Sequence, residues 1–260
     1  MMALGANADI VLVSARHQLL MFLSAWRFTV VLGVIQPAVF LLVTLGAAPT
    51  AGSAYAGRTS VAVLLTAFWS FTVWTGAGIL RRERAEGTLA ATLVSARDPR
   101  LVLVGKSLGA SSASGVLIVV TITAVLLGLR QPVTVEHPIW FAVGLLVVLL
   151  SGTALGMLLS CLFLVTRFGA QISSALMYPV FLLGGLLIPL STVPVPLRWL
   201  SWLVSLHWVN EFLVSSTSGD PDLAALGLTG LLTAVYAVAG AVAFDRVSDL
   251  ARRRGTLELV

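Results

Sequence analysis

The chain has 260 residues, of which 10% are charged and 58% hydrophobic, with a net charge of +5 and a mean hydropathy of +1.00. A soluble domain carries roughly 25% charged residues, so this chain lacks the polar surface to cover itself in water, and its hydrophobicity is the opposite of disorder. Cys161 is the only cysteine, which excludes a disulfide scaffold and a multi-cysteine zinc site. All the basic residues except Lys106 are arginine, and Ile is scarce beside Val, the bias of a GC-rich bacterial coding sequence.

The first element is an amphipathic helix over 9–27. At helical spacing Val11, Leu12, Ala15, Leu19, Phe22, Leu23 and Trp26 share one face, and Asp9, Arg16, His17, Ser24 and Arg27 the other. Such a helix is expected to lie in the membrane interface. The apolar run after it is too long, and begins too far into the chain, for a cleavable signal peptide.

A membrane helix needs about 20 apolar residues. Stretches free of Asp, Glu, Lys and Arg place six spans near 28–47, 59–80, 107–129, 139–164, 169–190 and 223–244. The expected fold class is therefore an all-α membrane protein of six transmembrane helices, forming a single transmembrane domain over 1–260. Barrel strands are shorter and alternate apolar with polar residues, which these runs do not. Thirteen basic residues fall on the face that holds both termini and three (Arg58, Arg130 and Arg198) on the other. The positive-inside rule then puts both termini in the cytoplasm of a multi-pass plasma-membrane protein. The same asymmetry accounts for the net charge without nucleic acid.

Three further segments lie outside the spans. The loop 81–106 carries nine charges, among them Glu83, Glu86 and Asp98. Glu86-Gly87-Thr88-Leu89 reads as a helix end and a new start, with Thr88 capping a short helix over 89–95. Asp98-Pro99 opens the next helix. Leu89, Leu93, Val94 and Leu101–Val104 are more apolar than a connecting loop requires. Residues 191–216 are broken by Pro194 and Pro196 and hold Trp199, Trp202 and Trp208, which suit the headgroup level. They read as a broken, re-entrant outer helix. The tail 245–260 carries Arg252, Arg253 and Arg254, a stop-transfer charge after the last span.

No catalytic constellation is present. There is no HExxH or GxSxG, His17, His137 and His207 are far apart, and no acidic residue falls within a span. The last point argues against proton or sodium coupling and against an intramembrane metalloprotease. Gly105-Lys106-Ser107 ends like a P-loop, but Arg100 stands where its first glycine belongs, and Ser107 opens a membrane span. No cofactor is expected on this chain. Small and hydroxyl residues such as Ser111, Ser112 and Ser114 read as helix-packing positions. Phe68, Trp69, Phe71 and Trp74 in span two, with Tyr178 in span five, are candidates for lining a path.

Three stretches carry a resemblance. They are Glu83-Arg84-Ala85-Glu86-Gly87-Thr88-Leu89 continuing to Gly105-Lys106, Tyr178-Pro179 through Gly184-Gly185 to Pro189, and Pro194–Trp199 through Ser205–Trp208. In order and spacing, with Gln36-Pro37 in span one, the chain resembles the membrane subunits of type-2 ATP-binding-cassette exporters. Val104 before Gly105, and Val204-Ser205-Leu206 in place of an asparagine-proline-leucine turn, are departures from that pattern. The resemblance implies re-entrant outer helices before span six and a pair of permease subunits, this chain with a second copy or a related one. It implies two cytoplasmic ATPase subunits that hold the ATP and Mg²⁺. It also implies that Glu83, Arg84, Glu86, Gly87, Thr88 and Leu89 couple the ATPase to the spans. Amphipathic drugs or lipids are the cargo expected, and a polysaccharide or lipid-linked glycan is the alternative. A membrane scaffold or embedded enzyme is the reading outside the family.

Overall fold

A computed structural model describes residues 2–47, 52–95, 98–131, 133–166, 168–188 and 190–254. Arg97, Arg167, Pro189 and the last residues of the tail, 255–260, lie outside the described residues, as do the side chains of Leu93, Val94 and Arg252–Arg254. The described residues form helices and no strand. In chain order these are α1 (Met2–Ser24), α2 (Trp26–Gly46), α3 (Ser53–Ala85), α4 (Leu89–Ser95), α5 (Pro99–Gly128) and α6 (Pro138–Val165). Then follow α7 (Gly169–Leu183), α8 (Val195–Ser201), α9 (Ser205–Ser218) and α10 (Leu223–Arg254).

Five helices are long and apolar enough to cross a membrane: α2, α3, α5, α6 and α10. The segment expected to be a fifth of six spans, 169–190, is shorter: α7 has 15 residues. It stops because Gly185 takes φ +67° and closes a Schellman turn. There the Gly185 N–H donates to the Leu182 carbonyl and the Leu186 N–H to that of Phe181. At the other end, α10 runs through the expected tail as far as Arg254. Charged residues are good helix formers, and nothing in that sequence breaks the helix.

α1 begins earlier than expected and packs along the first half of α5. The approach is backbone to backbone. A Cβ on Gly105 would lie 2.5 Å from the Val11 carbonyl oxygen, and one on Gly109 would lie 2.5 Å from that of Ala15. The buried side of α1 is Ser14, Gln18 and Phe22, whereas Leu12, Leu19, Leu23 and Trp26 are exposed. Most of the apolar face read from the sequence thus faces out of the bundle. Small and polar residues face protein, as expected where the solvent is itself apolar.

Both of the first two spans contain a π-turn. In α2, Pro37 lacks an N–H and its ring crowds the carbonyl four residues back, that of Gly33. The ladder widens to π geometry over Val31–Ile35, and the Gln36 N–H bonds the Val31 carbonyl. The freed Gly33 carbonyl accepts from the Thr121 hydroxyl of α5 at 3.0 Å, and the Gln36 amide donates to Ser70 Oγ of α3 at 3.2 Å. A polar backbone group in hydrocarbon has to be satisfied in this way. In α3 the π-turn covers Thr72–Gly76. There a Cβ on Gly76 would come within 3.4 Å of the Gly156 Cα, so α3 and α6 cross with no side chain between them.

The core divides in two. The larger cluster, around Phe71, Leu65, Ile118 and Leu213, fills the bundle between α3, α5, α6 and α9. The smaller one joins the ends of five helices through Ile79, Leu80, Leu89, Leu103, Met157 and Phe244.

Candidate functional site

The smaller cluster supports the segment singled out by sequence. α3 ends in a second Schellman turn. Gly87 takes φ +72°, its N–H donates to the Arg84 carbonyl (3.2 Å), and the Thr88 N–H donates to that of Glu83 (2.9 Å). The Thr88 hydroxyl also donates to the Glu83 carbonyl (3.2 Å), and the Thr88 carbonyl accepts from the Thr92 N–H (3.0 Å), the first bond of α4. The helix break at Gly87 and the short helix 89–95 are both where the sequence put them. Asp98 caps α5 by accepting from the Arg100 N–H at 3.0 Å, with Pro99 in the first turn.

Of the six residues expected to act in coupling, Glu83 and Leu89 are buried, while Arg84, Glu86, Gly87 and Thr88 are exposed. They form a tip held from below. Leu89 packs in the smaller cluster. Glu83 is paired with Lys106 of α5, in a site where both side chains are largely buried. Its other carboxylate oxygen has no partner among the described residues. Burying a carboxylate without a partner costs several kcal/mol, and the Lys106 ammonium is the partner that offsets this cost. Lys106 is thus engaged with Glu83, and Ser107 is buried beside it.

Residues outside the expected set complete the support. Arg100 binds Asp245 of α10 at 2.7 Å, and Ser160 Oγ of α6 accepts the Leu80 N–H at 3.0 Å. The tip is therefore tied to α5, α6 and α10. A carboxylate immediately after an otherwise uncharged span was the sequence signal for Asp245. Ser160 had none, because a serine in a span reads as a packing residue.

The five path candidates do not converge. Phe68, Trp69 and Phe71 are buried in the larger cluster. Phe71 meets Phe22 of α1 with ring centroids 5.5 Å apart, and Phe68 lies over Gly152 and Gly115. Trp74 donates its indole N–H to Met177 Sδ of α7 at 3.2 Å. Tyr178, the next residue on α7, is 70% exposed.

The segment 191–216, expected as one broken outer helix, holds two helices, α8 and α9. Trp199 and Trp202 are exposed, while His207, Asn210, Phe212 and Leu213 face inward from α9. At its N-terminus Ser205 Oγ meets Ser151 Oγ of α6 at 2.9 Å, and its N–H donates to the Tyr236 hydroxyl of α10. Tyr236 donates onward to the Leu203 carbonyl. Burial holds the His207 imidazole pKa below its ordinary value, a shift only partly offset by Glu211 at 3.9 Å.

Apolar helices of membrane length, with a charged tip tied to three of them, mark a membrane-spanning protein. Residues 10–217 match the family model for the ABC-2 type transporter, from within α1 to the last turn of α9, and the chain belongs to that family. The family's members are membrane transport components that typically work with an ATP-binding subunit and generally have no ATPase site of their own. No curated protein matches the chain.

Proposed function

We propose that the chain is the membrane subunit of an ATP-driven exporter, moving amphipathic drugs or lipids outward and powered by a separate cytoplasmic ATPase. The observation that carries this reading is the tip Arg84–Thr88. It is exposed where a partner can reach it, and through Glu83 and Leu89 it is anchored to the helices behind it. A push on the tip reaches α5 through Lys106 and α10 through the Arg100–Asp245 pair. Glu83, Arg84, Glu86, Gly87, Thr88 and Leu89 are the coupling residues in this reading. ATP and Mg²⁺ belong to the partner.

The proposed topology counts α7 as a sixth, short span, about 22 Å at 1.5 Å per residue, with both termini cytoplasmic. The basic residues favour that orientation, and the membrane is a bacterial plasma membrane. The functional unit pairs this chain with a second copy or a related permease. The path draws on Trp74 and Tyr178, near the α3–α7 contact, more than on Phe68, Trp69 and Phe71. The burial of those three weighs against a glycan cargo, since stacking on a sugar needs an open ring face.

The test is co-purification of the tagged, detergent-extracted chain from its host. A stoichiometric ATPase, lost or uncoupled in Arg84→Glu and Glu86→Arg variants that still insert, is the expected result. An intact, folded chain that brings down no ATPase overturns the proposal.

A further inference from the structure

One cleft remains outside the coupling site. Between α3, α5 and α6 two adjoining cavities, of about 330 and 260 Å³, share Leu64 and Val119 and so form one groove. Its ends differ in chemistry. One is bordered by Gly57, Ser60, Gln131 and Thr217. The other is wholly apolar and reaches Phe68 and Leu149. From Gly57 to Phe68 the groove follows α3 for about 16 Å at 1.5 Å per residue, close to half of the roughly 30 Å hydrocarbon core. It therefore has the depth of one leaflet.

Two cations flank the polar end. Arg58 follows Gly57, and Arg130 precedes Gln131. Both are exposed, and neither is in an ion pair among the described residues. Glu136, beside the lining residue Val135, and Asp220, three residues past the lining Thr217, are acids near this rim. Arg130 also holds φ +53°, closing a Schellman turn at the end of α5 where glycine is the favoured residue. A side chain is kept there against backbone preference.

We infer that this groove holds an acyl chain of a bilayer phospholipid, with Arg58 and Arg130 holding its anionic headgroup at the rim. The site is for a resident lipid and does not depend on what the protein transports.

The test uses the full chain purified in detergent, with phosphatidylglycerol and phosphatidylcholine titrated in and retention read by native mass spectrometry. Wild type should retain phosphatidylglycerol preferentially. Arg58→Gln and Arg130→Gly should each cut that preference about fivefold, the strength expected of one surface cation beside anionic lipid. Arg130→Gly suits the turn it occupies, so its melting temperature should not fall. A diazirine placed mid-chain in phosphatidylglycerol should label Val116–Val120 and Leu145–Leu149. An unchanged preference in the double variant, or labelling spread evenly over exposed positions such as Val235 and Val238, overturns the inference. Because no ATPase is present, either result is separate from the transport proposal.

Discussion

Glu83 and Lys106 form a buried ion pair that joins the last turn of α3 to the second turn of α5. They are 23 residues apart, with the whole exposed tip and α4 between them. Removing one partner leaves the other charge buried, which costs about 3–5 kcal/mol, whereas replacing both with neutral groups is far milder. Lys106→Met should therefore lower thermal stability in detergent sharply, and Glu83→Gln with Lys106→Met should recover most of the loss. Additive losses in that double-mutant cycle contradict the pairing.

Gly87 has nothing within 4 Å of where a Cβ would sit, so a substitution there tests the backbone alone. At φ +72° an alanine should cost about 1 kcal/mol. Asparagine, which tolerates that region, should cost less. Hydrogen exchange at the Thr88 amide reports the change, since this N–H closes the turn on the Glu83 carbonyl.

Thr121 answers the carbonyl that Pro37 displaces in α2. Thr121→Val should cost about 1–3 kcal/mol, the usual penalty for a buried unsatisfied carbonyl. Adding Pro37→Ala should reduce that penalty, because an N–H at position 37 can take the Gly33 carbonyl itself. Melting temperatures of the two single variants and the double variant decide it.

Gly109, like Gly105, lets α1 and α5 approach backbone to backbone. Gly109→Leu should push α1 off α5, and spin labels at Leu12 and Val116 should report a longer, broader distance distribution. An unchanged distance means that α1 is held elsewhere.

His207 has a folded-state pKa lowered by burial, with Glu211 partly opposing the shift. Its proton is therefore taken up first by the unfolded chain, and the stability tied to neutral His207 is present above about pH 6.5, the ordinary histidine value. That stability is lost as pH falls below it. Melting temperature measured from pH 8 to pH 5 should drop at the acid end, and His207→Asn should flatten the drop.

Local chemistry was the legible part of this chain. Gly87, Asp98 and Pro99 mark turns by the conformations they allow, so α4 and the start of α5 fall where the residues said. The uncharged runs located five helices of membrane length for the same reason. What escaped depends on neighbours. The amphipathic face of α1 was readable, but which side meets protein was not, because in lipid the polar Ser14 and Gln18 turn inward. Gly184-Gly185 was noted as a family feature, yet its role in ending α7 lies in a positive φ that a sequence does not print. The span-two aromatics could equally line a cleft or fill a core, and Phe22, from a distant part of the chain, decided the case for Phe71.

The π-turn at Thr72–Gly76 has a consequence for how this protein tolerates change in length. It accommodates one residue more than an α-helical turn, so everything after it in α3 is rotated by about 100° relative to an unbroken helix. Glu83, in the helical segment after the turn, is the residue that meets Lys106. Deleting any one residue of the turn would restore a regular helix and present a neighbouring position to the ammonium instead. The extra residue thus sits inside α3, seven positions before Glu83, and not in the exposed tip itself.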